Sequence, residues 1–339
     1  MGEARFFHLV PDGGLEALPS LEAALGALAA DGYLWLDYVD PTREQLNALV
    51  GPLGIHPLSI EDCFDDQQVP KIDLFPNNAF VLVNSYGYGK SGLATDEIDF
   101  FLGKNFLVSV SGRGNTERRF HERLDERVRQ ALDTARKGPD FLLHTILDFA
   151  VDGKFGAIEA LEDDINAAEE AMLADAPAFN LQDLMHLRRA LLALRKGLYH
   201  EREVLIKICR RDCPFVSDAS IYYFRDIYDH LAKFFELIEI NRDIVTSLTE
   251  MYLSLINNQM AQAANRTNRT VRRLTLITTI FMPLTLIAGV GGMSEWSMMT
   301  GPQNWRIAYP AFIAGMAVIG VINYFLLRWI ESRHPDRPD

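Results

Sequence analysis

The sequence predicts an α/β domain at the N-terminus, followed by a long helical bundle or stalk and two transmembrane helices at the C-terminus. Three observations support this fold class. Residues 1–110 alternate strand-like and helix-like segments, which is typical of a layered α/β domain. From about Glu117 the pattern is helical almost without interruption. Residues 274–294 and 307–327 contain no charged side chain, and each run is long enough to cross about 30 Å of hydrocarbon as a helix.

Five segments in the first part of the chain are predicted to be strands, because aromatic and β-branched residues lie there between turn residues. They are Arg5–Val10, Tyr33–Tyr38, Ala79–Tyr86, Glu97–Leu102 and Phe106–Ser109. Helices are predicted between them at Leu21–Ala30, from Pro41 with Asp40 as N-cap, and at His56–Phe64. We place this α/β domain at residues 1–115.

The middle of the chain is predicted to be a helical hairpin region, residues 116–220. Apolar residues recur at i, i+3 and i+4 in Glu117–Lys137, Phe141–Met172 and Leu181–Ile206. A last helix begins at Ile221 and contains no Gly or Pro before Pro283, a length of roughly 90 Å. We assign residues 221–293 to this stalk helix. A helix of this length needs neighbours, which favours an oligomeric bundle.

The charge of the chain is unevenly distributed. The net charge is −13, and residues 1–260 carry −17. Four arginines, Arg266, Arg269, Arg272 and Arg273, directly precede the first apolar run. The acidic balance argues against nucleic-acid binding, which requires a basic face. The three cysteines have no disulfide-framework spacing and are typical of reduced thiols.

The arginines also predict the membrane topology, since Lys and Arg next to a span stay in the cytoplasm. The first span, residues 274–294, then begins inside, and residues 295–306 form an external or periplasmic loop. The second span, residues 307–329, returns the tail at 330–339 to the cytoplasm. Both termini are therefore predicted to be cytoplasmic.

One stripe of the first span contains small or polar residues. Thr278, Met282, Thr285, Gly289 and Gly292 are separated by four, three, four and three residues, so they share one helical face. The same face extends back through Leu274 or Thr275, then Val271 and Asn268. The stripe is either a packing surface for other helices in lipid or the lining of a pore. Pro283 predicts a local break in the helix.

Acidic side chains are concentrated in the hairpin. Seven of them, including Asp163 and Asp164, fall between Glu159 and Asp175. They form either a solvated helix face or a region that concentrates cations near a pore mouth. We find no catalytic triad, phosphate-binding loop or zinc-hydrolase spacing, so an enzyme is not expected.

The segment Leu274–Met293 resembles the first transmembrane helix of the CorA family of magnesium and divalent-cation channels. Other segments are similar to the soluble domain of that family: Gly54–Asp62, Pro70–Asp73, Phe101–Phe106, Leu142–Asp148, Tyr223–His230 and Tyr252–Ser254. The resemblance implies a homopentamer in the inner (plasma) membrane, in contact with membrane lipid, with a cytosolic funnel. It implies passive transport of a divalent cation, Mg²⁺ first, with the cation as substrate and regulator and no resident cofactor.

The resemblance also assigns roles to residues. Gly292, Met293 and Ser294 form the pore entrance, where Ser294 replaces the Asn of the family's Gly-Met-Asn signature. The pore lining is Asn268, Val271, Leu274, Thr278, Met282, Thr285 and Gly289. Asp226 and Asp96 are expected to bind a regulatory metal. Glu295, Asp163 and Asp164 are expected to attract cations.

The replacement of Asn by Ser294 leaves three functions open. Serine offers one short hydroxyl where the family has an amide. The first expectation is a Mg²⁺ channel, and the second is a transporter of Zn²⁺ or another transition metal. The third is a membrane-anchored regulatory or scaffold pentamer that does not transport ions.

Overall fold

The computed structural model describes residues 2–10, 14–65, 68–89, 92–112, 124, 126–292, 301 and 303–333. These residues form two compact units, Met1–Tyr252 and Leu253–Asp339. The first unit contains a sheet, a helical hairpin and the beginning of a long helix. The second contains the remainder of that helix and one further helix.

A seven-stranded sheet with the order β2-β1-β3-β7-β6-β5-β4 lies at the centre of the first unit. Its strands are β1 Glu3–Leu9, β2 Leu15–Leu18, β3 Tyr33–Val39, β4 Lys71–Leu74, β5 Asn78–Gly89, β6 Gly92–Gly103 and β7 Phe106–Ser111. Strands β3 and β7 are parallel, and the other neighbours are antiparallel. All five predicted strands are present. The edge strands β2 and β4 were not predicted, because four residues show too little alternation.

Short helices cover one face of the sheet. They are α1 Leu21–Gly26, followed by a 3₁₀ turn at Ala27–Ala29, then α2 Arg43–Asn47, α3 Val50–Leu53 and α4 Pro57–Asp62. The predicted N-cap Asp40 is wrong. The cap is Thr42, whose hydroxyl accepts from the Gln45 N–H while the Gln45 side chain accepts from the Thr42 N–H. This reciprocal pair satisfies two free donors, which one carboxylate at Asp40 does not.

The hairpin packs against the sheet. It consists of α5 Leu132–Ala135, α6 Pro139–Ala174 and α7 Leu181–Cys209. Helix α6 buries Ile158, Leu161 and Ile165 at the expected helical spacing. The predicted helix Glu117–Lys137 falls partly outside the described residues, and its described part is helical at 124 and 126–130.

Helix α8 extends over 71 residues, Ile221–Gly291. Within the first unit it buries Phe224, Leu231, Ile238 and Val245, which recur every seven residues. Aromatic pairs fix it to the hairpin, with ring centroids 5.6 Å apart for Phe155–Phe234 and 5.8 Å apart for Phe179–Tyr252. This part of α8 therefore belongs to the core of the first unit.

The second unit consists of the end of α8 and of α9, Trp305–Arg333. Both helices are long and apolar enough to cross a membrane, and the apolar windows of both are unburied. Pro283 lies inside α8, and the helix continues through it to Gly291. The break predicted at Pro283 is therefore wrong: neighbouring turns retain the helix although proline lacks an N–H donor.

Candidate functional site: the uncovered face of the first membrane helix

Helix α9 covers one face of α8 in the second unit. Between residues 257 and 291, the half-buried residues of α8 lie on this face: Leu276, Ile280, Pro283, Leu284, Ile287 and Gly291. Ile280 and Leu284 line a groove together with Ile313, Met316 and Gly320 of α9. At Gly291 a side chain would collide with the Phe312 ring, so the glycine permits close approach of the two helices.

The predicted pore stripe lies on the opposite face of α8. All described positions of the stripe are exposed: Asn268, Val271, Leu274, Thr278, Met282, Thr285, Gly289 and Gly292. At 100° per residue, the stripe lies about 180° from the residues that α9 covers. Met282 is 68% exposed and Leu274 is 63% exposed. The apolar side chains of the stripe therefore have no cover within the second unit, as far as the structure describes it.

The threonines of the stripe present oxygen lone pairs to the outside. The Thr278 hydroxyl donates to the Leu274 carbonyl at 2.9 Å, and the Thr285 hydroxyl donates to the Phe281 carbonyl at 2.8 Å. Each hydroxyl hydrogen is thus used within the helix, and the oxygen is left as an acceptor. Acceptors suit the water shell of a hydrated cation, whose water molecules donate hydrogen bonds outward.

The stripe is concave near the C-terminal end of α8. Met282, Thr285, Leu286, Gly289 and Val290 line a depression of about 510 Å³. No atom lies within 4 Å of the position that a Cβ at Gly289 would occupy. The glycine therefore leaves this part of the exposed face open. The predicted entrance residues Met293 and Ser294, and Glu295, which is expected to attract cations, lie outside the described residues.

The proposed regulatory carboxylates both lie in the first unit. Asp226 is exposed on α8, and Asp96 lies on β6 directly opposite Ser85 of β5. Burial raises the pKa of Asp96 above its usual value. Its Oδ1 is enclosed and accepts no hydrogen bond from the described residues. In the described part of the chain, no three Asp, Glu, His or Cys side chains come close enough to hold a metal.

The acidic residues of the hairpin line a cleft. Asp163 and Asp164 are both exposed on α6, and with Asp175 and Asp183 they border a cleft of about 1110 Å³. The Tyr88 hydroxyl donates to Asp164 Oδ2 at 2.6 Å. Burial and this hydrogen bond raise the pKa of Tyr88. The cleft is therefore electronegative and open to solvent.

Sequence reasoning missed a buried ion pair between the hairpin helices. Lys154 of α6 and Glu201 of α7 are each 1% exposed, with Nζ and Oε1 3.4 Å apart. Both bind the backbone of Asn84 in β5: its N–H donates to Glu201 at 2.9 Å, and its carbonyl accepts from Lys154. Burial lowers the pKa of Lys154 and raises the pKa of Glu201.

One signal in the sequence points to this pair. Lys154 falls in the apolar repeat of α6, between Ala150 and Ile158, where a solvent-facing lysine is not expected. Next to the pair, Gly197 leaves room for the Tyr86 hydroxyl, with which a side chain would collide. The pair therefore fixes strand β5 to both hairpin helices.

Fold and site together define a class: membrane proteins in which an α/β domain is followed by a very long helix with an apolar end and by a second apolar helix. The chain belongs to the CorA family. The family model described as "CorA-like Mg2+ transporter protein" matches residues 30–329. This family consists of ion transporters and not of enzymes, as the sequence predicts.

Relatives and solved structures agree with this family. The "Cobalt/magnesium transport protein CorA" of Thermotoga maritima is 34% identical over 294 residues, which is 85% of this chain and 80% of the relative. The "Putative metal ion transporter YfjQ" of Bacillus subtilis is 33% identical over 302 residues, 87% of this chain and 88% of the relative. The complete structure of the CorA magnesium transporter from Methanocaldococcus jannaschii has a TM-score of 0.66 and 22% identity. That match covers 96% of this chain and 97% of the other, and it shows the fold.

Proposed function

We propose that this chain forms a passive channel for divalent cations, with Mg²⁺ as the first substrate, and that the exposed stripe of α8 lines the path. One observation carries the proposal: α9 covers the face of α8 opposite the stripe and leaves the stripe without a partner in the described part of the chain. A ring of copies with the stripe at its axis gives these residues an aqueous environment and places α9 outside.

The assembly is proposed to be a homopentamer in the inner membrane, with both termini cytoplasmic. Hydrated Mg²⁺ passes the hydroxyl oxygens of Thr278 and Thr285, because Mg²⁺ gives up its water shell reluctantly. Leu274 and Met282 form the constriction, which closes by dewetting. Asn268 and Val271 continue the lining toward the cytoplasm, and Gly289 continues it toward the entrance.

The entrance is proposed at Gly292, Met293 and Ser294. A ring of Ser294 hydroxyls accepts hydrogen bonds from the hydrated ion in place of the amides that are usual in the family. Glu295 raises the local cation concentration on one side of the membrane, and the Asp163–Asp164 region does so on the other.

Cytosolic metal is proposed to regulate the channel through Asp226 and Asp96. Within the described part of one chain, neither carboxylate belongs to a cluster of three metal-ligating side chains. The metal is therefore proposed to bridge neighbouring copies. Bridging neutralises the charges and favours the symmetric closed ring, whereas metal loss shifts the population toward open states.

Cation uptake by the purified full-length protein in liposomes tests this function, with Mg²⁺, Zn²⁺, Co²⁺ and Ni²⁺ compared at one membrane potential. We expect Mg²⁺ uptake that rises with an inside-negative potential. Uptake of Zn²⁺ without Mg²⁺ would instead assign a transition-metal transporter. If no cation enters, and S294N restores Mg²⁺ uptake, the chain is the regulatory or scaffold pentamer.

A further inference from the structure

Four arginines of the second unit form a basic cluster next to the apolar spans. The arginine cluster consists of Arg266, Arg269 and Arg273 on α8 and Arg328 on α9, and all four are exposed. The sequence contains no Asp or Glu between Met251 and Ser294. The three guanidinium groups on α8 therefore lie in a stretch of helix with no carboxylate of its own.

The arginines on α8 occupy a single face. Their spacing of three and four residues places them in one line, about 180° from the stripe of Asn268, Val271 and Leu274. This is also the side on which α9 packs, since Leu284 lies against Gly320. A ring with the stripe at its axis turns Arg266, Arg269 and Arg273 outward, away from the ion path.

If the apolar runs of α8 and α9 cross the membrane, the arginine cluster lies at the depth of the lipid headgroups. Arg273 directly precedes the uncharged run, and Arg266 lies about 10 Å further along the helix axis, so the row begins at the edge of the hydrocarbon and extends through a headgroup layer of about 5–8 Å. Because Leu284 lies beside Gly320 in antiparallel helices, Arg328 comes within about 5 Å of the level of Arg273. Trp329 follows it and is 53% exposed, as expected at a membrane interface.

We propose that the arginine cluster binds the phosphates of anionic phospholipids in the cytoplasmic leaflet. Guanidinium groups bind phosphate oxygens through paired hydrogen bonds. Beside the cluster, the exposed side chains of Ile277, Val321 and Phe325 offer apolar surface to acyl chains. A free phosphate would leave this surface without a partner, which favours a lipid as the occupant. The inference rests on the orientation of the stripe in the proposed channel.

Quenching of Trp329 by brominated lipids tests the proposal in the reconstituted full-length chain. W296F and W305F remove the two other tryptophans of the C-terminal part, and Trp35 is fully buried in the first unit. The probes are brominated phosphatidylglycerol and brominated phosphatidylcholine at matched mole fractions. We expect phosphatidylglycerol to associate at least tenfold more strongly, since each arginine at an anionic surface contributes about fivefold.

Two variants with equal loss of charge give the decisive comparison. R266Q/R269Q/R273Q is expected to bring the ratio of the two association constants close to one. R188Q/R189Q/R210Q removes three exposed arginines from the first unit and should leave the ratio unchanged. A wild-type ratio near one, or an unchanged ratio in the first variant, overturns the proposal. If the first variant does not assemble, R266Q and R328Q are compared singly, each with an expected loss of about threefold to fivefold.

Soluble phosphate distinguishes a membrane lipid from a free phosphate as the occupant. Ion flux distinguishes failure of this inference from failure of the proposed channel. Millimolar glycerol phosphate should leave the quenching ratio unchanged, and displacement of the lipid by it would overturn the assignment to a membrane lipid. Mg²⁺ uptake is recorded in the same vesicles. Uptake with no lipid preference overturns this inference alone, whereas lipid preference with no uptake supports the inference and counts against the proposed channel.

Discussion

The two units of this chain bury apolar side chains to very different extents. In the first unit, Trp35, Phe80 and Phe224 are fully buried by the chain itself. In the second unit, Met282 is 68% exposed and Phe325 is 61% exposed. The core of the first unit supplies its own hydrophobic stabilisation. In the proposed channel the second unit meets lipid on one side and further copies of the chain on the other, so the proposed function depends on which face meets which environment.

The largest expected effect concerns a matched pair of glycines. It tests whether the stripe of α8, and not the surface of α9, lines the proposed path. At Gly289 in the stripe and at Gly315 on α9, no atom lies within 4 Å of the position that a Cβ would occupy. G289L should reduce Mg²⁺ uptake in liposomes at least tenfold, because the side chain fills the depression on the stripe. G315L should retain uptake because Gly315 is not part of the proposed path. An equal loss of Mg²⁺ uptake in G289L and G315L would contradict the proposal that the stripe lines the path and that Gly315 lies outside it.

The buried ion pair provides the second test, on the stability of the first unit. K154M leaves Glu201 buried and unpaired, which should cost about 3–5 kcal/mol of the free energy of unfolding. K154M/E201M should recover part of this loss, because it removes the unpaired charge but still leaves the Asn84 N–H and carbonyl without these partners. Chemical denaturation in a W296F/W305F/W329F background, followed by Trp35 fluorescence, measures both. The exposed Lys196 supplies the control K196M, and a cost in K196M as large as that in K154M would refute the role of the pair.

A third prediction concerns the glycine beside this pair. In G197A the added methyl group collides with the Tyr86 hydroxyl, which should cost about 1–3 kcal/mol of unfolding free energy. In G156A nothing lies within 4 Å of the new methyl group, so this variant should gain about 0.5–1 kcal/mol through helix propensity. The same denaturation experiment measures both. A loss in G156A similar to that in G197A would show that the collision with the Tyr86 hydroxyl is not the cause of the loss in G197A.

The smallest expected effect is on thiol chemistry. Burial raises the pKa of Cys213 and of Cys209, so less of the reactive thiolate is present at pH 8 than for a free cysteine. Cys63 and Cys213 are both buried. We expect iodoacetamide to modify these two at least tenfold more slowly in the folded protein than in denaturant. Fast modification of Cys213 in the folded protein would show that the first unit is more open than its core indicates.

The sequence predicts the elements of both units more reliably than their contacts. Five strands and the long helices follow from residue pattern, because burial of one face imposes a period on the sequence. The N-cap Thr42 was missed because Asp40 lies two residues earlier and aspartate is also a residue type preferred at N-caps. Lys154 and Glu201 were missed because charged residues in helices usually face solvent.

The face of α8 covered by α9 could not be predicted, for a different reason. Both helices are apolar around most of their circumference, so hydrophobicity does not distinguish a lipid-facing side chain from a packed one. The stripe of Thr278, Met282 and Thr285 was visible in the sequence, and two interpretations of it remained. The position of Gly320 against Leu284 favours the interpretation in which the stripe is free.

Thiol block of cation uptake tests the central claim most directly. T278C and T285C introduce thiols into the stripe, whereas I277C replaces a side chain on a neighbouring face that is 55% exposed. All three are made in the C209A background and treated with a small charged thiol reagent in Mg²⁺-transporting liposomes. The account predicts that the reagent reduces uptake at least tenfold in T278C and T285C and leaves I277C unchanged. Block of I277C, with T278C and T285C unaffected, would contradict it.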